Sequence, residues 1–292
     1  MNIALFGRDI NEQDFDRLSD FFIVLRRYAE TKGNVGILYH TKFYNYLKNK
    51  GIDMPNGSCF NCTEDLPKET SLFISLGGDG TFLESLTLIR ERNIPVAGVN
   101  FGRLGFLTNS CNNFECLLQR QFSIETRTIL KFENDTIPND FYPYALNEIT
   151  IQRITPSMLE INLSVNGNTL PTYWADGILI ATATGSTAYS LSIGGPVAMP
   201  QSKVLIISPI APHNLNVRPL IVPESSDIRM TFGGRSDVAI LTADNRSFSI
   251  KAGAEVKVSK AEFELRCATV NDNFIEALNQ KLLWGEDKRN KN

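Results

Sequence analysis

Leu72-Phe73-Ile74-Ser75-Leu76-Gly77-Gly78-Asp79-Gly80-Thr81-Phe82-Leu83 runs from an apolar stretch through three glycines into a second apolar segment. Residues 72–76 have the length and continuous hydrophobicity of a strand buried on both faces, and residues 82–92 carry apolar positions at helical spacing. A strand that enters a helix through glycines puts the loop at the carboxyl end of a parallel sheet, the edge at which open α/β sheets bind ligands. Glycine accepts positive φ and close backbone approach. Successive amides and the helix start can therefore cradle a phosphate, with Thr81 adding a hydroxyl. Asp79 is the discordant residue. A carboxylate is out of place in a phosphate cradle unless it ligates a cation or accepts a proton, and that points to phosphoryl transfer. Alone, the Gly-Gly-Asp-Gly segment reads equally as a turn in which Asp79 caps the following helix. It is neither a Walker loop nor the dinucleotide G-x-G-x-x-G fingerprint.

Outward from this loop, strand-like runs at 3–7, 35–39 and 95–100 alternate with helical patterns at 15–32 and 42–50. In the first helix Phe15, Leu18, Phe21, Phe22, Leu25 and Tyr28 recur at helical spacing. Such alternation predicts an α/β domain whose parallel sheet is covered by helices. From about Ser123 the texture changes to alternating, β-branched segments such as 148–152 and 159–165, the latter closed by an Asn166-Gly167 turn. This half reads as a mostly antiparallel β-rich domain. The expected division is 1–122 for the α/β domain, 123–269 for the β-rich domain, and 270–292, helical over 273–284, returning to the first.

The 292 residues include 42% hydrophobic and 21% charged side chains, with a net charge of −3. Nothing in that balance favours nucleic acid or an anionic membrane, so an anionic ligand must be held by local groups. The apolar run at Met1–Gly7 is too short for a signal peptide or a spanning helix, and a cytoplasmic location is expected. In that reducing setting the five cysteines read as free thiols. Cys59 and Cys62 form a C-x-x-C, but Cys111 and Cys116 do not make the second close pair of a zinc site, so no protein-held metal is expected. His40 and His213, the only two histidines, read as surface or packing residues.

A second chemistry-bearing stretch runs Asp176-Gly177-Ile178-Leu179-Ile180-Ala181-Thr182-Ala183-Thr184-Gly185-Ser186-Thr187-Ala188-Tyr189-Ser190-Leu191-Ser192 and on to Pro196. A strand leads into a hydroxyl-rich turn and a short helix. Ser186, Thr187, Ser190 and Ser192 offer donors and acceptors suited to ribose, base edges and phosphate, while Tyr189 can stack or pack. The same residues would also serve simply as helix caps.

Together with Gly77–Thr81, this block, the segment Gly98-Val99-Asn100-Phe101-Gly102-Arg103-Leu104-Gly105-Phe106-Leu107, Asn147-Glu148, Pro209-Ile210-Ala211-Pro212-His213-Asn214-Leu215 and Arg218-Pro219-Leu220 resemble the NAD kinase family. The likeness covers most of residues 72–220. It implies an NAD kinase-like fold and transfer of phosphate from ATP to the 2′-hydroxyl of the adenosine ribose of NAD, giving NADP. It further implies Asp79 as proton acceptor, with Gly80 beside it, and Gly77, Gly78 and Thr81 as the phosphate loop. Asn147 and Glu148 match the pair that holds the substrate, Asp176 a residue near the nicotinamide end, and Thr187, Ala188, Tyr189, Ser190, Leu191 and Ser192 the block that receives the dinucleotide.

Two positions depart from the family. Ala183 replaces a usual proline, which removes no functional group. Trp174 stands where many members carry a basic residue, so it is counted among the substrate-binding positions although its size also suits a buried strand start. Asp244, in a late hairpin, matches a substrate contact, but reads more simply as a plain turn; His213 reads as structural. A magnesium ion carried by the donor phosphates suits the scarcity of acidic clusters, and a homo-oligomer, dimer or tetramer, is expected from the family and from open sheet edges. A lipid or sugar kinase sharing the glycine loop, or an NAD-binding sensor without turnover, are the competing readings.

Overall fold

The computed structural model describes residues 1–101, 105–270 and 274–285, with Cys111 by its backbone alone. Gly102, Arg103 and Leu104 of the family-like segment, Asn273 of the expected last helix, and the charged tail from Glu286 lie outside the described residues. The chain forms two compact units, Met1–Glu125 with Arg266–Asn292, and Thr126–Leu265.

In the first unit the chain runs β1 (Asn2–Gly7), α1 (Phe15–Lys32), β2 (Gly36–His40), α2 (Thr41–Asn49), β3 (Ser58–Phe60), β4 (Thr70–Leu76), α3 (Asp79–Ile89), β5 (Val96–Asn100), β6 (Thr108–Ser110) and α4 (Phe114–Leu118). The strands pair in parallel in the order β3-β2-β1-β4-β5, and β6 extends along β5. The stripe predicted for α1 is the buried one: Leu18, Phe21, Phe22 and Leu25 pack on Ile3, Leu5, Leu72, Ile74 and Val99 of the sheet. Gly33 ends the helix at φ 72°, its amide bonding to the Ala29 carbonyl, the left-handed geometry that glycine adopts without a steric cost. From β1 the chain winds outward to β2 and β3, then crosses back to β4 and β5. The direction of winding thus reverses between β1 and β4, and the loops after these two strands flank the position at which such sheets bind ligands.

The second unit contains most of β7 (Ser123–Glu133), then β8 (Tyr144–Ala145), β9 (Glu148–Arg153), β10 (Leu159–Val165), β11 (Asn168–Thr169), β12 (Tyr173–Ala175), β13 (Gly177–Thr182), α5 (Tyr189–Ser192), β14 (Val204–Ile210), β15 (Leu220–Pro223), β16 (Ile228–Gly234), β17 (Val238–Ala243), β18 (Arg246–Lys251) and the start of β19 (Val256–Thr269). Six strands form an antiparallel sheet in the order β15-β14-β13-β9-β17-β18. A second layer places β11, β12 and β16 on β10, and β19 on β16. Ile149, Ile151, Ile178 and Ile180 from the first sheet meet Leu159, Ile161, Met230, Phe232 and Val258 from the second in one core. Leu179 and Ala181, pointing the other way from β13, pack with Ile206, Ile210 and Tyr189. Both faces of β13 are therefore buried, which accounts for its unbroken apolar sequence. Asn166 and Gly167 sit at φ 51° and 79°, the two positive values of the tight hairpin turn their sequence predicts.

The chain then returns to the first unit. Cys267 of β19 pairs with Val96, and α6 (Phe274–Leu282) buries Phe274, Ala277 and Leu278. This helix is shorter than the sequence pattern suggested. Leu283 turns to φ 49°, and Trp284 is exposed.

Candidate functional site

In the first unit α3 begins at Asp79, three residues earlier than its apolar pattern suggests, because the small residues Gly80 and Thr81 already belong to its first turn. Gly77 has φ 147° and donates its amide to the Val99 carbonyl at 2.9 Å. A side chain there would meet the Thr81 hydroxyl at 2.6 Å. The first turn of a helix leaves amides without intrahelical acceptors, and a side chain on Gly80 would meet open space. The amides of Thr81 and Phe82 both donate to the Gly78 carbonyl, at 3.0 and 3.1 Å, so part of the expected cradle is engaged within the loop itself.

The cap position of α3 is taken by Gly78, and Asp79 is the first residue of the helix. Its carboxylate reaches across to the segment before β6. Oδ2 accepts the Phe106 amide at 2.9 Å, and Oδ1 accepts the Leu107 amide at 3.1 Å and the Thr108 hydroxyl at 3.5 Å. The Lys281 ammonium of α6 stands 3.1 Å from Oδ2. Gly105 makes this approach possible, since a Cβ there would collide with the Asp79 carboxylate and the Thr108 hydroxyl. The roles of Gly105 and Lys281 escaped the sequence reading, since neither carries a local signal for a contact with Asp79.

A cleft of about 560 Å³ opens at the carboxyl ends of β1 and β2, lined by Gly7, Arg8, His40, Lys42, Tyr46 and Glu84 among others. Arg8 spans it to pair with Glu84 of α3 at 2.6 Å. Burial, and then the Lys42 charge, hold His40 below the usual histidine range. Its ring packs edge-on against Phe6 and Phe60, the packing role expected of it.

In the second unit the site residues gather where β9 begins. Asp244 is more than the plain turn it resembled in the sequence. It occupies the two-residue loop between β17 and β18 at φ 51°, and its buried carboxylate accepts the amides of Leu146, Asn147 and Glu148 at 2.9, 2.8 and 3.2 Å. The Arg246 guanidinium lies 4.0 Å away and donates to the carbonyls of Tyr142 and Tyr144. Burial pushes the Asp244 pKa up, against these amides and Arg246. Beside it, burial and then the Asp244 charge push Glu148 up to about 8, opposed by the Tyr189 amide. The Glu148 Oε2 atom is buried without a partner among the described residues. An orphaned carboxyl oxygen is costly unless a ligand or water satisfies it.

The hydroxyl-rich block closes over the same place. The Thr182 hydroxyl donates to the Leu146 carbonyl at 2.7 Å and accepts the Gly185 amide at 3.0 Å. A side chain on Gly185 would strike the Asn147 backbone. Ser186 exchanges bonds with Ala198, and Thr187 donates to the Thr184 carbonyl at 3.4 Å. These hydroxyls therefore hold the turn itself. Ser190 is buried with its hydroxyl unpartnered among the described residues, whereas Ser192 is exposed and Thr187, Ala188, Tyr189 and Leu191 are half-buried.

Trp174 and Asp176 are not part of that cluster. In the pairing of β13 with β9, Glu148 faces Ala181 while Gly177 faces Gln152, so Asp176 is about 17 Å from Glu148 at a strand rise of roughly 3.3 Å per residue. Asp176 pairs with Arg153 at 2.9 Å. Trp174 is 42% exposed, which rules out the buried strand start its size suggested. Its neighbour His213 is exposed and donates its backbone amide to the Trp174 carbonyl. Cys59 and Cys62 are exposed free thiols, and no group of three histidine, cysteine or acidic residues gathers to hold a metal among the described residues.

The ATP-NAD kinase N-terminal domain model matches residues 41–122, the stretch with the glycine loop and the Asp79 contacts, and the ATP-NAD kinase C-terminal domain model matches residues 146–270. The chain belongs to the NAD kinase family. It is 38% identical to the NAD kinase of Flavobacterium psychrophilum over 99% of this chain and all of that one, and 34% identical to that of Bacteroides fragilis over the same shares. Among solved structures, yeast NADH kinase complexed with NADH matches with a TM-score of 0.87 at 25% identity, over all of this chain and 90% of that one. An NAD kinase from Archaeoglobus fulgidus in complex with ATP matches with a TM-score of 0.70 at 26% identity, over 97% and 99% of the two chains. Membership removes the lipid- and sugar-kinase readings that the glycine loop alone left open.

Proposed function

We propose that the protein is an NAD kinase that transfers the terminal phosphoryl group of ATP to the 2′-hydroxyl of the adenosine ribose of NAD, with Asp79 as proton acceptor. The observation that carries the reading is the carboxylate of Asp79, which stands at the first residue of α3 beside the glycine loop and is aimed by two amides of the segment before β6. In the reaction the ribose oxygen forms the new bond to phosphorus as the bond to the leaving oxygen of ADP breaks, and the hydroxyl proton passes to Asp79. Phosphoryl transfer asks the protein chiefly for in-line positioning and charge stabilisation. The amides of the glycine loop and the start of α3 supply part of that stabilisation.

On the acceptor side, Glu148 and Asn147 hold the ribose and Tyr189 to Ser192 receive the dinucleotide. The unpartnered Oε2 of Glu148 supports this, because a ribose hydroxyl would satisfy it. On the donor side, the cleft at Arg8 and Lys42 combines cations for a triphosphate with the rings of Phe43 and Tyr46 for a base. The ATP-dependent family implies a divalent cation. A magnesium ion carried by the donor phosphates would neutralise charge on the transferred group.

A homo-oligomer suits the second unit. Leu220 and Ile221 are exposed on β15, the edge of the six-stranded sheet, and Leu215 nearby in sequence is 89% exposed; exposed apolar edges of this kind call for a partner. A second copy also offers a place for Trp174 and Asp176, which stand away from Glu148. The cysteines described as free thiols suit a cytoplasmic setting.

Purified protein given NAD, ATP and Mg²⁺ is expected to form NADP. NAD binding without NADP formation would instead identify a sensor.

A further inference from the structure

Among the described residues the Asp79 carboxylate has four contacts, and three come from the short segment Phe106 to Thr108. The fourth, Lys281, lies 202 residues away in sequence, on the last turn of α6. An exposed ion pair of this kind ordinarily contributes little. Here the ammonium is held on two sides, because it also stands 4.7 Å from the centroid of the Phe106 ring, within the range of a cation–π contact. That ring packs on Phe274, 5.8 Å away in the first turn of the same helix. Phe106 thus touches Asp79 through its amide, Lys281 through its face and α6 through Phe274. The side chains are 30% exposed for Lys281 and 28% for Asp79, so the pair rests on this geometry rather than on burial.

The Thr108 hydroxyl, 3.5 Å from Oδ1, is too distant for a full hydrogen bond, so among the described residues one of the roughly four acceptor positions of the carboxylate stays open to the acceptor hydroxyl. The two amides restrain it from one segment, and among the described residues Lys281 is the restraint that comes from elsewhere in the unit. Resting on the reading of Asp79 as proton acceptor, we infer that Lys281 is a positioning residue for phosphoryl transfer: from α6 it fixes the orientation in which the Asp79 carboxylate meets the acceptor hydroxyl. Helix α6 is thereby part of the catalytic apparatus, and its docking through Phe274 sets the geometry of a residue in the first stretch of the unit's sequence. A misdirected base slows proton transfer while leaving both substrates able to bind.

The test is a double-mutant cycle on the full-length enzyme, with kcat and the KM for NAD and for ATP measured separately. Lys281→Met is expected to lower kcat by about 10- to 100-fold with each KM within about threefold, and Lys281→Arg to recover most of the loss. In an Asp79→Asn background, Lys281→Met is expected to change the residual turnover by less than about threefold, since the carboxylate it orients is already gone. Thermal unfolding of each variant shows whether α6 stays docked; the arginine variant, which keeps the charge, supplies the comparison if the methionine variant does not fold. Wild-type kcat in Lys281→Met would overturn the inference. So would an equal fractional loss in the Asp79→Asn background, which would place the effect in the helix rather than in the carboxylate. The single Asp79→Asn variant judges the proton-acceptor reading independently: if it alone turns over normally, that reading fails and takes the role of Lys281 with it.

Discussion

At the scale of single residues, two side chains make pH and shape measurable. Glu148 has its pKa raised to about 8 from an ordinary 4.5 by burial and the Asp244 charge. Between those values the folded protein keeps a proton that the unfolded chain has released, so this group's contribution to stability is complete below about pH 4.5 and is lost as pH rises through 8. Glu148→Gln, which cannot ionise, is expected to raise the thermal midpoint by several degrees at pH 8.5, with the gap closing toward pH 5. A gap that does not change with pH would argue against a buried, proton-holding Glu148. Gly105 makes the second case. Any Cβ there would collide with the Asp79 carboxylate, so Gly105→Ala is expected to lower kcat at least about tenfold by displacing the base. A kcat equal to wild type would show that Asp79 needs no such room.

At the scale of elements, the start of β9 depends on a hairpin almost a hundred residues downstream. The Asp244 carboxylate satisfies three consecutive amides at Leu146, Asn147 and Glu148. Asp244→Ala is expected to cost about 3 kcal/mol in urea unfolding, because amides are left without an acceptor in a buried setting; a change within experimental error would deny it that role. This contact was not legible in the sequence. The two-residue loop Asp244-Asn245 reads as any tight turn, because an acid there is favoured by turn geometry whether or not its carboxylate reaches another strand. The α1 stripe was legible, since Leu18, Phe21, Phe22 and Leu25 encode one face by spacing alone. So was the buried strand before the glycine loop. The strand Val256–Thr269 is less legible, because the polar residues in its interior break the apolar pattern without ending the strand. Local pattern records which way a side chain faces, but not which distant group it meets, and for that reason Lys281 carried no signal and Gly105 was only one residue of a family-like segment.

At the scale of the whole molecule, the edge strand β15 carries the prediction for assembly. Ile221→Lys places a charge on an exposed apolar edge and is expected to shift the protein toward a smaller species in sedimentation, with its fold retained; an unchanged mass would locate any interface elsewhere. The proposed roles of the glycine loop and of the Glu148 cluster also predict that substrate binding and turnover can be separated. The measurement that addresses this most directly is NADP formation by purified Asp79→Asn protein, alongside its affinity for NAD. With Asp79 as proton acceptor, kcat falls by about 10²- to 10⁴-fold while NAD binds as in the wild type; a loss of less than about tenfold would contradict that assignment.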